Sequence, residues 1–384
     1  MPALVTGGTS RVMPPGLMLA MLVSCSHARE GQAAVPDPLS ARMLEGEFQN
    51  PPGGPSVSSG WSDGLSLWWK MAWVSPEDIA RSVPAGHALP ETKAIALLDS
   101  LKQADTVTWL GHASFLIRLG GKTVLTDPYL TEYASPISIG PKRYVAPGIS
   151  IERLPPIDLL LISHNHYDHL DRRTLARLPR RDRTTVVVPL GLADSLREFG
   201  FKEVREVTWG QTNDFDALRV TAVPAIHSSG RGLADENETL WAGYVLASAQ
   251  AKIYFAGDTA YHGLIFKRIR ETHGAMDIAL VPIGAYEPTN MMAHVHVDPQ
   301  EAVAIGRDVG AKRLVPMHWG TVVLATEPPF EPPTRFRAAG RLAGASFPKR
   351  RAAITSQSRF KEMRIEGQKI KMIPMTLTPF RKIS

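Results

Sequence analysis

Short apolar runs recur along the chain from about residue 106, and clusters of turn-forming residues separate them. Many of the runs are rich in valine, isoleucine and threonine, whose branched side chains favour extended backbone. The pattern predicts strands over Thr106–Leu110, Phe115–Leu119, Thr123–Thr126, Asp158–Ser163, Thr185–Val188, Leu218–Val223, Gly243–Ala247, Lys252–Ala256, Ile278–Pro282 and Arg313–Pro316. So many apolar strands are enough to build a large buried core.

Helical stretches lie between these strands, and they are predicted over Glu91–Gln103, Asp171–Arg177, Leu190–Phe199, Tyr261–His273 and Pro299–Val309. The last of them begins with Asp298 as N-cap and a proline at the first helical position, both of which are favoured there. Helices alternate with strands, and in places two strands follow each other. This order predicts a mixed α/β fold in which two sheets pack face to face with helices outside, a four-layer αββα sandwich.

Composition divides the chain into a predicted signal over residues 1–29, an irregular linker over 30–67, a folded domain over 68–333 and a basic tail over 334–384. The linker is rich in proline, glycine and serine and has no sustained periodicity. From Arg335 to Ser384 there are 13 lysines and arginines against two glutamates, so the tail accounts for more than the net charge of +6. Such a tail is usually solvated, although phospholipid headgroups or nucleic acid also attract it.

The amino terminus has the layout of an export signal. Arg11 precedes the apolar run Leu17–Ser24, which is too short to span a bilayer. Leu22–Cys25 resembles a bacterial lipobox, in which the cysteine is lipidated and tethers the mature protein. The alternatives are an ordinary signal peptide and a wrongly assigned start followed by a disordered leader. Either kind of signal predicts a location in the bacterial cell envelope, in the periplasm or at the outer membrane. Cys25 is the only cysteine, which excludes an internal disulfide and a multi-thiolate metal site.

Four ligand-type side chains follow the apolar run Leu160–Ser163 within six residues. They are His164, His166, Asp168 and His169. In extended backbone His164 and His166 point the same way, so they are able to share one metal ion. As the chain turns into the next helix, Asp168 and His169 are able to reach a second position nearby. A lone histidine is usually structural, but a cluster directly after a buried strand favours a metal site.

A site for two metal ions needs further ligands from distant strands, and His227, Asp258 and His318 each follow an apolar run. Each of them alone would equally well be structural. A carboxylate such as Asp258 is able to bridge two cations, and the imidazoles suit zinc, although manganese or iron also fits such ligands. Together with the cluster, these residues predict a centre of seven ligands and two ions.

The predicted chemistry is hydrolysis. Two dications that share a water molecule lower its pKa toward neutrality, which makes hydroxide available as the nucleophile. The metals also polarise a carbonyl or phosphoryl oxygen, so no serine or cysteine nucleophile is required. Asp168 and Asp258 are the candidate catalytic residues, and the hypothesis for Asp168 is that it both binds a metal and orients the water.

The segment His164–His169 resembles the signature motif of metallo-β-lactamase-fold hydrolases. Further segments resemble the N-acylphosphatidylethanolamine-hydrolysing phospholipase D family, and they are Phe48–Pro51, Trp109–His112, Leu125–Pro128, Gly140–Arg143, Phe255–Thr259, Pro282–Pro288 and His318–Thr321. The resemblance covers roughly residues 106–333, and similar bacterial relatives are described as outer-membrane-associated. It implies a homodimer with two zinc ions, one held by His164, His166 and His227, the other by Asp168, His169 and His318, with Asp258 bridging.

Four more residues have predicted roles around the metals. The resemblance implies that Tyr167 and His296 contact the substrate phosphate or headgroup, although Tyr167 has the alternative of packing beside the metals and His296 of bracing its loop. His112 and Asp127 are expected to orient ligands through hydrogen bonds, with a loop residue and a turn residue as the alternatives. Two features depart from the family: Met291–His294, where residues shape the substrate entrance, and the basic segment after residue 333.

The leading functional hypothesis is a phosphodiesterase that cleaves N-acylphosphatidylethanolamine at a membrane, giving phosphatidic acid and an N-acylethanolamine. Four tryptophans favour a lipid interface if they are not core residues, namely Trp61, Trp68, Trp69 and Trp73. The alternatives are a hydrolase of another ester, a lactone, a sugar phosphate or a nucleic acid, and an envelope protein that binds metal or lipid without turnover. A nucleic-acid partner is not expected because the chain has an export signal, and β-lactam hydrolysis is not expected because both Asp168 and His169 are present.

Overall fold

The computed structural model describes residues 40–56, 66, 74–232, 234–343, 361–365, 368–373 and 376–377. The predicted signal with Cys25, most of the linker and the four tryptophans named above lie outside these residues. Among the described helices, none combines the length and the apolar character that crossing a bilayer requires.

The described strands are, in chain order, β1 (Arg42–Leu44), β2 (Glu47–Gln49), β3 (Leu89–Pro90), β4 (Thr106–Gly111), β5 (Ser114–Leu119), β6 (Lys122–Thr126), β7 (Leu159–Leu161), β8 (Thr185–Pro189), β9 (Glu203–Val207), β10 (Thr212–Phe215), β11 (Leu218–Val223), β12 (Gly243–Ala247), β13 (Lys252–Phe255), β14 (Ile278–Pro282), β15 (Arg313–Met317), β16 (Lys361–Ile365), β17 (Gln368–Ile373) and β18 (Thr376–Leu377). The helices are α1 (Pro76–Arg81), α2 (Glu91–Ser100), α3 (Arg172–Arg177), α4 (Ala193–Arg197), α5 (Ile265–His273), α6 (Thr289–Met292), α7 (Pro299–Asp308) and α8 (Pro332–Leu342).

Two mixed sheets dominate the described residues. One has the strand order β16-β17-β4-β5-β6-β7-β8-β9, and the other has the order β10-β11-β12-β13-β14-β15. In the first, β4, β6 and β7 run in the same direction, because β5 is antiparallel to both β4 and β6 while β7 is parallel to β6. In the second, β12 is antiparallel to both β11 and β13, while β13, β14 and β15 are parallel to one another. Strands β11, β13 and β15 therefore share a direction.

Strand β5 shows how the layers pack. Phe115 and Ile117 lie in the core that both sheets share, whereas Leu116 lies in a second core with Leu98 of α2 and Leu175 of α3. Successive strand residues face opposite sides of a sheet, so one apolar run serves two cores. On the other side, helices α5, α7 and α8 pack onto the second sheet. The predicted αββα sandwich is therefore confirmed.

Several predicted element ends were wrong. Helix α3 begins after Asp171, whose side chain accepts a hydrogen bond from the backbone of Arg173 as an N-cap. The helix predicted over Leu190–Phe199 shrinks to α4 because Gly191 has a φ of +88°. Helix α5 begins later than predicted, because the backbone N–H groups of Leu264 and Ile265 donate hydrogen bonds to His262 Nδ1. Helix α8 crosses the predicted boundary at residue 333, and backbone pairing of β17 with β4 adds the tail to the first sheet.

Candidate metal centre

Ligand-type residues follow the carboxyl ends of strands that share a direction within each sheet. Those that follow β4, β6 and β7 are His112, Asp127 and the segment His164–His169. Those that follow β11, β13 and β15 are His227, Asp258 and His318. Each sheet therefore delivers its polar residues to one edge, which is where layered folds carry function.

One group of ligand atoms comes from His164, His166 and His227. His164 Nε2 lies 2.9 Å from His166 Nδ1, and His227 Nε2 lies 3.3 Å from that same Nδ1 atom. Ligand atoms about 2.0–2.1 Å from a tetrahedral zinc ion lie roughly 3.3 Å from each other. His164 and His227 are buried and His166 is half-buried, so the three nitrogens face one point with little access to bulk water.

A second group comes from Asp168, His169 and His318. Asp168 Oδ2 lies 3.3 Å from His169 Nε2 and 3.4 Å from His318 Nε2. The same oxygen lies 2.7 Å from His112 Nε2, which is the contact that the predicted orienting role of His112 requires. The predicted ligands thus separate into two groups of three, as the family resemblance implies.

Asp258 lies between the two groups. Its Oδ2 atom is 3.0 Å from the Nε2 atoms of both His169 and His318. The same atom is 4.0 Å from His164 Nε2 and 3.9 Å from His227 Nε2. The Asp258 carboxylate is therefore placed to contact a cation in either position.

Unpartnered buried atoms test whether these residues fit metal ions. Among the described residues, the buried atoms His169 Nε2, His318 Nε2 and Asp258 Oδ1 make no hydrogen bond of suitable geometry, although both Nε2 atoms lie at ion-pair distance from Asp258 Oδ2. Leaving such atoms unsatisfied costs free energy, and a native structure rarely does so without a reason. Metal coordination supplies that reason, and five imidazoles with two carboxylates are a donor set suited to zinc. The residues present fit two divalent cations.

Neighbouring groups hold the imidazoles in one orientation. Asp127 Oδ2 lies 2.7 Å from His169 Nδ1 and accepts a hydrogen bond of 2.6 Å from Ser163 Oγ. Ser163 Oγ is also 2.8 Å from His164 Nδ1. Because these contacts occupy the Nδ1 atoms, the Nε2 atoms remain for the metals. Ser163 was not predicted, although it stands directly before the motif.

The two predicted substrate-contacting residues lie beside the ligands. His296 is buried, and its Nδ1 atom has no hydrogen-bond partner among the described residues and lies 3.9 Å from Asp258 Oδ2. The half-buried Tyr167 donates its hydroxyl hydrogen to the backbone oxygen of Arg231, and the Arg231 guanidinium lies 3.9 Å from the centre of the tyrosine ring. Arg231 was missed, and its position four residues after His227 is the only sequence feature that would have found it.

Burial and mutual charge set the protonation of the metal-free site. Burial lowers the pKa of His164 and His227 well below the usual histidine value. Burial acts in the same direction on His318, but the Asp258 and Asp168 carboxylates outweigh it and raise the pKa of His318 to about 9. Burial disfavours the charge of Asp258, yet the positive charge of His169 lowers the pKa of that carboxyl well below its usual range. In the metal-free state, protons therefore occupy part of the second group.

A sequence profile described as "Beta-lactamase superfamily domain" matches residues 122–319, which is just over half of the 384 residues. This chain belongs to the beta-lactamase superfamily. All seven predicted ligands, from His164 to His318, lie within that match.

Two curated relatives show what members of the superfamily do. The chain is 39% identical over 230 residues to an N-acyl-phosphatidylethanolamine-hydrolyzing phospholipase D of Caenorhabditis elegans, covering 57% of this chain and 65% of that relative. It is 31% identical over 219 residues to a metal-dependent hydrolase of Methanopyrus kandleri, covering 56% of this chain and 84% of that relative. The match spans less than two thirds of the nematode protein. The His and Asp clusters among the described residues of this chain agree with the metal dependence that the second relative's name states.

A solved structure gives the same fold. The isothiocyanate hydrolase from Delia radicum gut bacteria has a TM-score of 0.50 against this chain at 19% identity, covering 62% of this chain and 93% of that protein. At this identity the likeness concerns the fold alone.

Proposed function

We propose that the protein is a two-zinc phosphodiesterase that hydrolyses N-acylphosphatidylethanolamine to phosphatidic acid and an N-acylethanolamine. The observation that carries the proposal is the position of Asp258 Oδ2, 3.0 Å from His169 and His318 and about 4 Å from His164 and His227. A carboxylate between two three-residue groups suits a pair of cations rather than one. The name of the nematode relative supports the choice of substrate.

The cations and the protein side chains have different roles in the proposed reaction. Two divalent cations would acidify a water molecule and neutralise charge on the phosphoryl oxygens. Asp168 and Asp258 would hold the cations, and Asp168, fixed by His112, is also the residue proposed to orient the attacking water. His296 and Tyr167 flank the substrate phosphate. Arg231, anchored to the backbone oxygens of Asn165 and Leu170, adds a positive charge that complements an anionic diester.

An apolar region beside the motif supports a lipid substrate. Tyr129, Ala134 and Val322 form a small core against which Tyr167 and Leu324 pack. The adjoining loop exposes two isoleucines, Ile137 by 58% and Ile139 by 71%, and borders a groove of about 710 Å³. Exposed apolar side chains next to a groove are typical of surfaces that meet lipid or another protein.

The remaining parts of the proposal follow from the substrate. A phospholipid is met at a membrane surface, which agrees with the predicted export signal and the bacterial envelope location. Zinc is the proposed metal because imidazole dominates the donor set. A homodimer is proposed from the family resemblance, and nucleic acid is not a proposed partner.

The test is an assay of the purified, zinc-loaded full chain on liposomes that contain N-acylphosphatidylethanolamine and, separately, on a soluble phosphodiester. We expect release of phosphatidic acid and an N-acylethanolamine, lost in the variant Asp258→Asn. The exposed variant Asp214→Asn, whose carboxylate pairs with Arg219 at the surface, is the matched control and should keep full activity. Turnover of the soluble ester alone, or of a lactone, would select the alternative, a hydrolase of the same fold with another substrate. No turnover on any ester would overturn the proposal.

A further inference from the structure

An amino-terminal segment over residues 47–54, which we name the strap, contacts the loops that carry two predicted ligands. It lies outside residues 122–319, which the superfamily profile matches. A Cβ atom placed on Gly54 would lie 3.6 Å from Ile226 Cγ2, next to His227, so the strap passes close to this loop. His262, four residues after Asp258, has its Nε2 atom 3.1 Å from the backbone oxygen of Pro52. The strap therefore touches both loops from one side.

The strongest contact is between Asn50 and the backbone of His227. The Asn50 Nδ2 group donates a hydrogen bond of 2.7 Å to the His227 backbone oxygen. The His227 N–H donates a hydrogen bond of 3.0 Å to Asn50 Oδ1. The Asn50 amide thus bonds to both the N–H and the carbonyl oxygen of His227. With its oxygen and nitrogen exchanged, the amide would bond to neither.

The His227 ring is held separately at its Nδ1 atom, 2.9 Å from the backbone oxygen of Val295. A neutral imidazole that donates from Nδ1 presents Nε2 as the acceptor. The Val295 contact fixes the ring, and the Asn50 contact fixes the backbone from which the ring projects. Together they aim His227 Nε2 at the group that contains His164 and His166.

The strap is anchored firmly enough to do this. Phe48 is buried in the core that both sheets share, and its N–H donates a hydrogen bond of 2.8 Å to the backbone oxygen of Asn237. Asn50 follows two residues later and is half-buried. A side chain held by a core residue on its own segment restrains its partner more than a mobile surface side chain does.

We propose that Asn50 is a positioning residue for the metal position of His164, His166 and His227, and that the strap is a working part of the metal centre. The proposal rests on the metal-binding half of the proposed function and is independent of the substrate. Because ligand geometry and backbone restraint are coupled, metal bound at this position also stabilises the strap, by the same free energy with which the strap stabilises the metal.

The experiment compares metal loss in Asn50→Ala and Gln49→Ala. Gln49 lies on the same strap, and its side-chain amide bonds to the backbone of Glu47, so it serves as the matched control. The zinc-loaded full chain is mixed with a chelator and the metals released are counted over time. We expect one of the two ions to leave Asn50→Ala about 10- to 100-fold faster, which is the usual effect of losing a partner behind a ligand. The other ion should leave at the wild-type rate.

Cobalt substitution and melting separate positioning from a general loss of structure. In the cobalt-loaded protein, Asn50→Ala should change the visible absorption of one site, while the melting temperature of the metal-free chain equals that of Gln49→Ala. Equal release of both ions together with a lower metal-free melting temperature would overturn the proposal, as would wild-type release rates. Release is measured without phospholipid, so failure of the lipid assay and failure of this test are distinct results.

Asn50→Asp distinguishes hydrogen bonding from filled space. Aspartate has the same shape and still accepts a hydrogen bond from the His227 N–H. It places a carboxylate oxygen, which is not a donor, against the His227 carbonyl oxygen. Its negative charge alone would tighten cation binding and slow release, so faster release points to the lost donor. Release slower than that of the wild type in this variant would contradict the proposal.

Amide hydrogen exchange tests the wild-type chain directly, whatever the variants do. Removal of the metals should speed exchange at the His227 and Phe48 amides more than at the β5 amides. Unchanged protection at His227 after removal would overturn the coupling.

Discussion

Three residues of the metal centre have left-handed backbone although they are not glycine. The φ angles are +53° at His112, +33° at Asp127 and +61° at His318. Such conformations cost free energy and persist where the surroundings impose them, which is most often at functional sites. The sequence predicted that these side chains follow strands, because apolar runs precede them. It could not predict the turn that aims each one, since packing from the other sheet decides it.

Gly257, directly before Asp258, has a φ of +62°, and a Cβ atom there would lie 2.8 Å from Ser163 Cβ and 3.0 Å from the Ala242 oxygen. Gly257→Ala should therefore lower the free energy of unfolding by about 1–3 kcal/mol more than the same substitution at a glycine that also has a positive φ but has open space around it. Gly210 is that control, with a φ of +84° and nothing near its Cβ position. Denaturant unfolding of Gly257→Ala and Gly210→Ala gives the difference, and equal losses would contradict the close approach of Gly257 to Ser163 and Ala242.

Metal uptake should release protons. His318 has a pKa raised to about 9 in the metal-free site, so below pH 9 it carries a proton that a metal ion must displace. The apparent metal affinity should therefore increase as the pH is raised toward about 9, where His318 loses its proton. Calorimetric titration in two buffers of different ionisation enthalpy measures the proton release. Identical heats in both buffers at pH 7.5 would show that His318 is already neutral.

At the scale of elements, the central strands and the edge strand β15 were predictable, whereas the edge strands β9 and β10 were not. Strands β11, β12 and β14 match the prediction, because apolar residues predominate in each of them. Strands β9 and β10 were missed, and both lie at sheet edges. Edge strands commonly carry charged and polar residues, which prevents pairing with other chains, so the sequences Glu203–Val207 and Thr212–Phe215 lack the apolar run that predicts a strand.

The loop that carries Ile137 and Ile139 exposes both isoleucines, so neither side chain is buried in a core. Replacing both by serine should weaken binding to phospholipid vesicles by about 30-fold, on the order of 1 kcal/mol for each partly buried side chain. Hydrolysis of a soluble ester should stay unchanged. Leu264→Ser removes an exposed apolar side chain outside the groove and is the control in vesicle sedimentation. Equal binding by all three proteins would remove this loop from the lipid surface.

At the scale of the whole molecule, the centre joins residues that are far apart in the chain. Asn50 and His227 are 177 positions apart, and the ligands come from both sheets. The seven predicted ligands could be found one by one, because each follows an apolar run or lies in the motif. Partners such as Asn50, Ser163 and Arg231 could not, because their roles depend on contacts that only the folded chain creates. The prediction of a separate basic tail likewise could not include the pairing of β17 with β4.

The count of metal ions per chain tests the central claim most directly. Elemental analysis of the purified full chain, equilibrated with zinc and freed of excess metal, should give two ions per chain. Asp258→Asn should bind fewer, because a neutral amide replaces the carboxylate that faces both groups, and Asp214→Asn should still bind two. One ion in the wild-type chain, or two ions retained by Asp258→Asn, would contradict a centre bridged by Asp258.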